Sequence, residues 1–172
     1  MTKRITISTL DAMKASGDKF VMITAYDATF ARLASEAGAE TILVGDSLGM
    51  VLQGHETTIP VSLDAMAYHT ECVARARPHS LIVADLPFMS FSNADDTLHA
   101  STRLMQAGAQ MVKLEGGTWL SDSIHRLVER GVPVCAHLGL TPQSVNVFGG
   151  YRVQGRTPKE AKSILADAVE IQ

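Results

Sequence analysis

The chain has 172 residues, 46% of them apolar and 19% charged, with a formal net charge of −3. A globular chain of this size withdraws about 70% of its unfolded surface from water. Its lysines and arginines are scattered, which excludes the basic stripe of a nucleic-acid or anionic-membrane binder, and no window holds the roughly 18 consecutive apolar residues of a membrane helix.

The amino terminus is polar at Lys3, Arg4 and Asp11 and lacks an apolar run of signal-peptide length. Residues 7 to 16 read as a short amphipathic helix, and Phe20 to Thr24 as a first strand that runs on to Ala25, Tyr26 and Asp27. In the next helix Phe30, Leu33, Ala34 and Ala37 share a face at helical spacing, and Gly38 supplies a left-handed terminator. The second strand, Ile42-Leu43-Val44-Gly45-Asp46, follows directly.

Residues 46 to 61 read as a long glycine-containing loop, after which Ser62 caps a helix with Leu63, Met66, Ala67 and Thr70 on one face and Pro78 beyond its end. Strand three, Leu81-Ile82-Val83-Ala84-Asp85, is stopped by Pro87; Asn93 caps the following helix and Gly108 closes it. Strand four, Met111-Val112-Lys113-Leu114-Glu115, leads to a helix with Leu120, Ile124, Leu127 and Val128 inward and Gly131 at its end. Strand five, Val132 to His137, is followed by a long loop to Arg156. Thr157-Pro158-Lys159-Glu160 then opens a last helix that presents Ala161, Ile164, Leu165 and Ala168.

Strands apolar on both faces, each followed by a helix, predict a parallel sheet of the α/β class. Four polar strand tips in succession favour a (β/α)8 TIM-type barrel over a doubly wound sheet, because closure makes consecutive tips converge. The chain supplies about the first five βα units of such a barrel plus an amino-terminal helix, as one truncated barrel domain over residues 1 to 172. Three further units need roughly 75 more residues.

Asp46, Asp85 and Glu115 at neighbouring strand tips suit an oxygen-preferring divalent cation such as magnesium, although each acid alone could equally cap a loop or pair with a base. Lys113 lies two residues before Glu115 and points to the same face, where it meets a substrate carboxylate, neutralises an acid, or forms a Schiff base. Ser47 reads as an anion contact or a turn residue. His137 reads as a proton donor, a ligand or a polar plug. His69 and Cys72 look incidental on their helix, and Trp119 reads as a packing residue. The glycines at 149, 150 and 155 match neither a P-loop nor a dinucleotide fingerprint. Cys72 and Cys135 fall in different elements without metal-ligand spacing, which predicts a reducing, cytoplasmic setting.

The strings TAYD from Thr24, LVGDSLGM from Leu43, QGHETTIPV from Gln53, ADLPFMS from Ala84, MVKLEGG from Met111 and HLGLTPQSVNVFGGYRVQGR from His137 together resemble the ketopantoate hydroxymethyltransferase family. The resemblance implies transfer of a hydroxymethyl group from 5,10-methylenetetrahydrofolate to 3-methyl-2-oxobutanoate, giving 2-dehydropantoate in pantothenate biosynthesis, through a metal-stabilised enolate. It implies Mg2+ at Asp46, Asp85 and Glu115, keto-acid contacts from Asp46, Ser47, Asp85 and Lys113, and a pocket role for His137. The family's proton-accepting glutamate lies beyond Gln172 on this reading, so no catalytic base falls within the chain. A homo-oligomer, often a decamer, is also implied. The competing enzyme class is a metal-dependent 2-oxo acid lyase of the isocitrate lyase/phosphoenolpyruvate mutase type; a non-enzymatic binding subunit is the third reading.

Overall fold

A computed structural model describes residues 4–172; Lys3 of the polar amino terminus lies outside the described residues. Five strands, β1 (Met22–Thr24), β2 (Thr41–Val44), β3 (Leu81–Asp85), β4 (Met111–Glu115) and β5 (Val134–His137), form one sheet in the order β1-β2-β3-β4-β5. Every neighbouring pair is parallel. Strand order equal to chain order is that of a barrel wall; a doubly wound sheet reverses direction partway. The expected arc of five βα units is therefore present.

Helices α1 (Ile7–Ser16), α2 (Ala28–Glu36), α3 (Leu48–Val51), α4 (Leu63–Arg75), α5 (Ala94–Gln106), α6 (Ser121–Glu129), α7 (Val145–Phe148) and α8 (Pro158–Glu170) complete the described residues, with single 3-10 turns at Thr118–Leu120 and Pro142–Ser144. None is long and apolar enough to cross a membrane. Local chemistry sets the starts of α4, α5 and α8: the side chains of Ser62, Asn93 and Thr157 accept from the N–H groups of Ala65, Asp96 and Glu160, and Glu160 completes a capping box. Asp27 caps α2 in the same way.

Strand β3 is buried along all five residues, and Ile42, Ile82, Leu114, Met66, Leu104 and Leu127 fill the layer between sheet and helices. Complete burial of such side chains contributes about 1.5–3 kcal/mol each. The sheet is anchored through these residues.

Several expectations about helix faces and element bounds are corrected. Helix α1 forms over the predicted residues but buries none of them. In α2 the inward residues are Ala31 and Ala34, whereas Phe30 and Leu33 are 63% and 55% exposed and Ala37 is exposed too. Two small-or-apolar stripes at i, i+3 run along α2, and the alanine stripe faces inward because it lets the helix approach more closely. Val128 and Leu165 are likewise exposed. Strand β1 is shorter than predicted, with all three residues exposed, β5 starts at Val134, and the loop after β2 winds into α3.

Helix α8 is tied back to the mouth of the sheet by Asp167, whose Oδ1 accepts from the Thr118 N–H (3.0 Å) and Oγ1 (2.6 Å). A Cβ at Gly117 would overlap that carboxylate. Gly117→Ala is expected to expel Asp167 and speed amide hydrogen exchange in α8 while leaving β2, β3 and β4 protected; mass-spectrometric exchange checks this.

Candidate functional site

Parallel register brings the polar strand tips together. Asp85 pairs with Lys113, Lys113 with Cys135, and Glu115 with His137, so these five side chains share one face of the sheet. Asp46 joins them two residues beyond β2. Gly45 leaves room for this turn: a side chain there would press on Ser47 Oγ at 2.9 Å and Asp85 Oδ2 at 3.4 Å.

Lys113 Nζ donates to Asp85 Oδ1 at 2.7 Å, and the Asp46 N–H donates to Asp85 Oδ2 at 3.1 Å. His137 Nδ1 lies 2.9 Å from Glu115 Oε1, while the Gln143 N–H donates to Glu115 Oε2 at 3.0 Å. The Gln143 carboxamide nitrogen donates to Asp46 Oδ2 (2.8 Å) and to the Leu86 carbonyl (2.9 Å). Tyr26 and Ser47 share a hydroxyl hydrogen bond of 2.9 Å, and His69 Nδ1 sits 2.9 Å from the Tyr26 carbonyl oxygen.

The structure thus brings together Asp46, Ser47, Asp85, Lys113, Glu115 and His137. His69 is not incidental, since it fixes the Tyr26 backbone and packs edge-on against that ring at 6.4 Å. Cys72 takes no part and is a free thiol. Trp119 stacks on Phe91 at 6.1 Å yet is 62% exposed, so packing accounts for only one of its faces. With Phe88, Met89, Phe91, Glu115 and Gln143 it lines a cavity of about 130 Å³ beside the acids. Gln143 and Tyr26 also hold groups of the site in place, and in the sequence only their positions within TAYD and HLGLTPQS mark them.

Asp46, Asp85 and Glu115 are 4%, 5% and 7% exposed. Burial, and then the charge of Asp85, push Asp46 up to about 7, against the Gln143 hydrogen bond. Burial also raises Asp85, opposed by Lys113. Burial, the largest single influence, would lower Lys113, but the charge and hydrogen bond of Asp85 together with the charges of Glu115 and Asp46 outweigh it and hold the ammonium above its usual range. Three buried acids therefore face one partly buried lysine, with His137 beside Glu115.

Among the described residues no three His, Cys, Asp or Glu side chains are grouped closely enough to form a cation cage. The donor chemistry still fits a hard divalent ion. Magnesium binds through one or two carboxylates and completes its shell with water and substrate oxygens, and Asp46 and Asp85 are adjacent oxygen donors of which only Asp85 is paired with a base.

Because Asp46 is raised in the folded protein above its unfolded value, its protonated form is favoured by folding, and stability from this group is lost as pH rises from about 4 through about 7. Asp46→Asn is expected to raise stability at pH 8 in metal-free buffer and to flatten this part of the profile. Urea unfolding at pH 5 and pH 8 measures it.

The sequence profile of ketopantoate hydroxymethyltransferase matches residues 4–172. The chain is 59% identical to 3-methyl-2-oxobutanoate hydroxymethyltransferase 2 of Pseudomonas aeruginosa (strain UCBPP-PA14) over 98% of its own length and 63% of that protein's. It is 60% identical to the 3-methyl-2-oxobutanoate hydroxymethyltransferase of Burkholderia vietnamiensis (strain G4 / LMG 22486), again over 98% of its own length and 62% of the relative's. The chain thus spans less than two thirds of these relatives. Among solved structures, phosphonopyruvate hydrolase in complex with oxalate and Mg++ superposes with a TM-score of 0.65 at 18% identity, covering 91% of this chain and 66% of that one. The trigonal form of 2,3-dimethylmalate lyase, a PEP mutase/isocitrate lyase superfamily member, gives 0.64 at 16% identity, covering 95% and 57%. Those two likenesses establish the TIM-type fold alone, whereas the matched profile and the close relatives establish descent: this chain belongs to the ketopantoate hydroxymethyltransferase family.

Proposed function

We propose that this chain carries the keto-acid half of a hydroxymethyltransferase that uses 5,10-methylenetetrahydrofolate to convert 3-methyl-2-oxobutanoate to 2-dehydropantoate. The observation that carries the reading is the cluster of three buried carboxylates around Lys113 at adjacent strand ends, in a chain of this family. Asp46 and Asp85 would hold Mg2+, with Glu115, whose two oxygens already meet His137 and Gln143, as the third acid beside it. When bound, the cation supplies electrostatic stabilisation of the negative charge that develops on the 2-oxo oxygen.

The remaining work belongs to side chains. Lys113 spends one N–H on Asp85 and keeps two for the substrate carboxylate. Ser47, oriented by Tyr26, offers a hydroxyl to the same group. Partial burial of these groups strengthens the contacts by lowering the local dielectric. Orientation of the keto acid in this way sets its C3 hydrogen toward a base, which we assign to the portion of the relatives this chain does not span. His137 would steady Glu115, and the apolar wall of Phe88, Phe91 and Trp119 would shelter the reacting carbon.

The same proposal includes a cytoplasmic setting, one barrel domain and a homo-oligomer. Exposed Phe20 and Val21 just before β1, Met22 and Ile23 on it, and Phe30 and Leu33 on α2 support a covering of this face.

Deuterium exchange at C3 of 3-methyl-2-oxobutanoate, followed by NMR in the protein made from its full reading frame, tests the reading. Magnesium-dependent exchange is expected, reduced about a hundredfold or more in Asp46→Ala and Asp85→Ala, the cost of losing one electrostatic stabiliser. Unchanged exchange in both variants would remove the cation from the reaction. Lys113→Ala is expected to raise the keto-acid KM by about tenfold or more, equivalent to about 1.4 kcal/mol of lost binding, and a pure kcat effect would argue against carboxylate recognition.

A further inference from the structure

Gln143 sits on the 3-10 turn Pro142–Ser144, only 7% exposed, and touches the ends of three strands at once. Its Nε2 reaches Asp46 beyond β2 and the Leu86 carbonyl beyond β3, and its backbone N–H reaches Glu115 at the end of β4. The orientation of the carboxamide is fixed by chemistry. Both hydrogens of Nε2 face acceptors, and a flipped amide would set its carbonyl oxygen against a carboxylate and a carbonyl.

We propose that Gln143 is a positioning residue for cation binding: its side chain holds the Asp46 carboxylate in the ligating orientation, and its turn closes the loop after β5 across the acids. This rests on the assignment of the cation to Asp46 and Asp85 made above. A carboxylate oxygen has more than one lone-pair direction, so the donation from Gln143 leaves Asp46 able to take a cation. Carboxylate ligands are commonly oriented by such outer donors, and losing one lowers metal affinity about 10–100-fold. A contact made only to steady the loop would be satisfied by Leu86 alone; the second hydrogen is directed to an acid 97 residues away in sequence.

Isothermal titration with magnesium chloride, on the protein from its full reading frame, tests the proposal. Gln143→Met keeps length and apolar stem but removes the donors, and its magnesium Kd is expected to rise about tenfold or more. Thr141→Val breaks the contact between Thr141 Oγ1 and Ser144 Oγ in the same turn without touching an acid, and its Kd is expected to stay within about twofold of wild type. A Gln143→Met affinity equal to wild type overturns the positioning role while leaving the cation assignment intact. An equal loss in Thr141→Val also overturns it, by showing that only loop order matters. Absence of magnesium binding by the wild type overturns the cation assignment itself, and the positioning role with it. Should Gln143→Met fail to fold, wild-type hydrogen exchange decides. Magnesium is expected to slow exchange of the Gln143 amide, and an unchanged rate overturns the proposal.

Discussion

A buried ion pair, Lys113 with Asp85 at 2.7 Å, is the contact on which the rest of the site depends. Taking either charge out of water alone would cost several kcal/mol, and the pair is tolerable because each partner also has a fixed place in the sheet. Register supplies that place, since Asp85 and Lys113 are paired Cα neighbours on adjacent strands. With Lys113 absorbed by Asp85, however, no equivalent base faces Asp46. Its carboxyl is driven up to about 7, and Gln143, a neutral donor, moderates that strain without cancelling it. The site is therefore negatively biased by construction, at a cost in folding stability.

The barrel wall makes this arrangement durable. Strand β3, buried on both faces, sits between β2 and β4, so the Cα positions from which Asp85, Lys113 and Glu115 project are held by the best-packed part of the molecule. The neutral groups around them come from elsewhere: Gln143, from the turn beyond β5, donates to Asp46, while Tyr26, from beyond β1, bonds Ser47 and is itself met by His69 from α4. Charges are carried by the sheet and neutral donors mostly by loops.

That division explains what could be read from the sequence. Strand tips were legible because an apolar run ending in Asp, Glu or His has a period and a direction, and caps were legible because Ser62, Asn93 and Thr157 act within three residues of themselves. The inward face of α2 was not, since residues 30 and 33 and residues 31 and 34 offer the same spacing and only the closeness of the neighbouring sheet and helix separates them. Gln143 was not, because a loop glutamine has no periodic signature and its acid lies on the far side of two strands. His69 was not legible either, because its partner is a backbone carbonyl that no side-chain pattern can announce.

Family membership and fold carry different weight in turning this geometry into chemistry. Acids at the carboxyl ends of parallel strands occur throughout barrels with unrelated reactions, so the likeness to the phosphonopyruvate hydrolase and dimethylmalate lyase structures locates a mouth and says nothing of what enters it. Identity of 59–60% across 98% of the chain shows the family, which the fold alone does not. The two arguments meet at Lys113. As a purely structural base it would be expected to balance the acids around it, yet three acids surround one ammonium, and the imbalance makes sense for a site whose remaining positive charge arrives with its ligand.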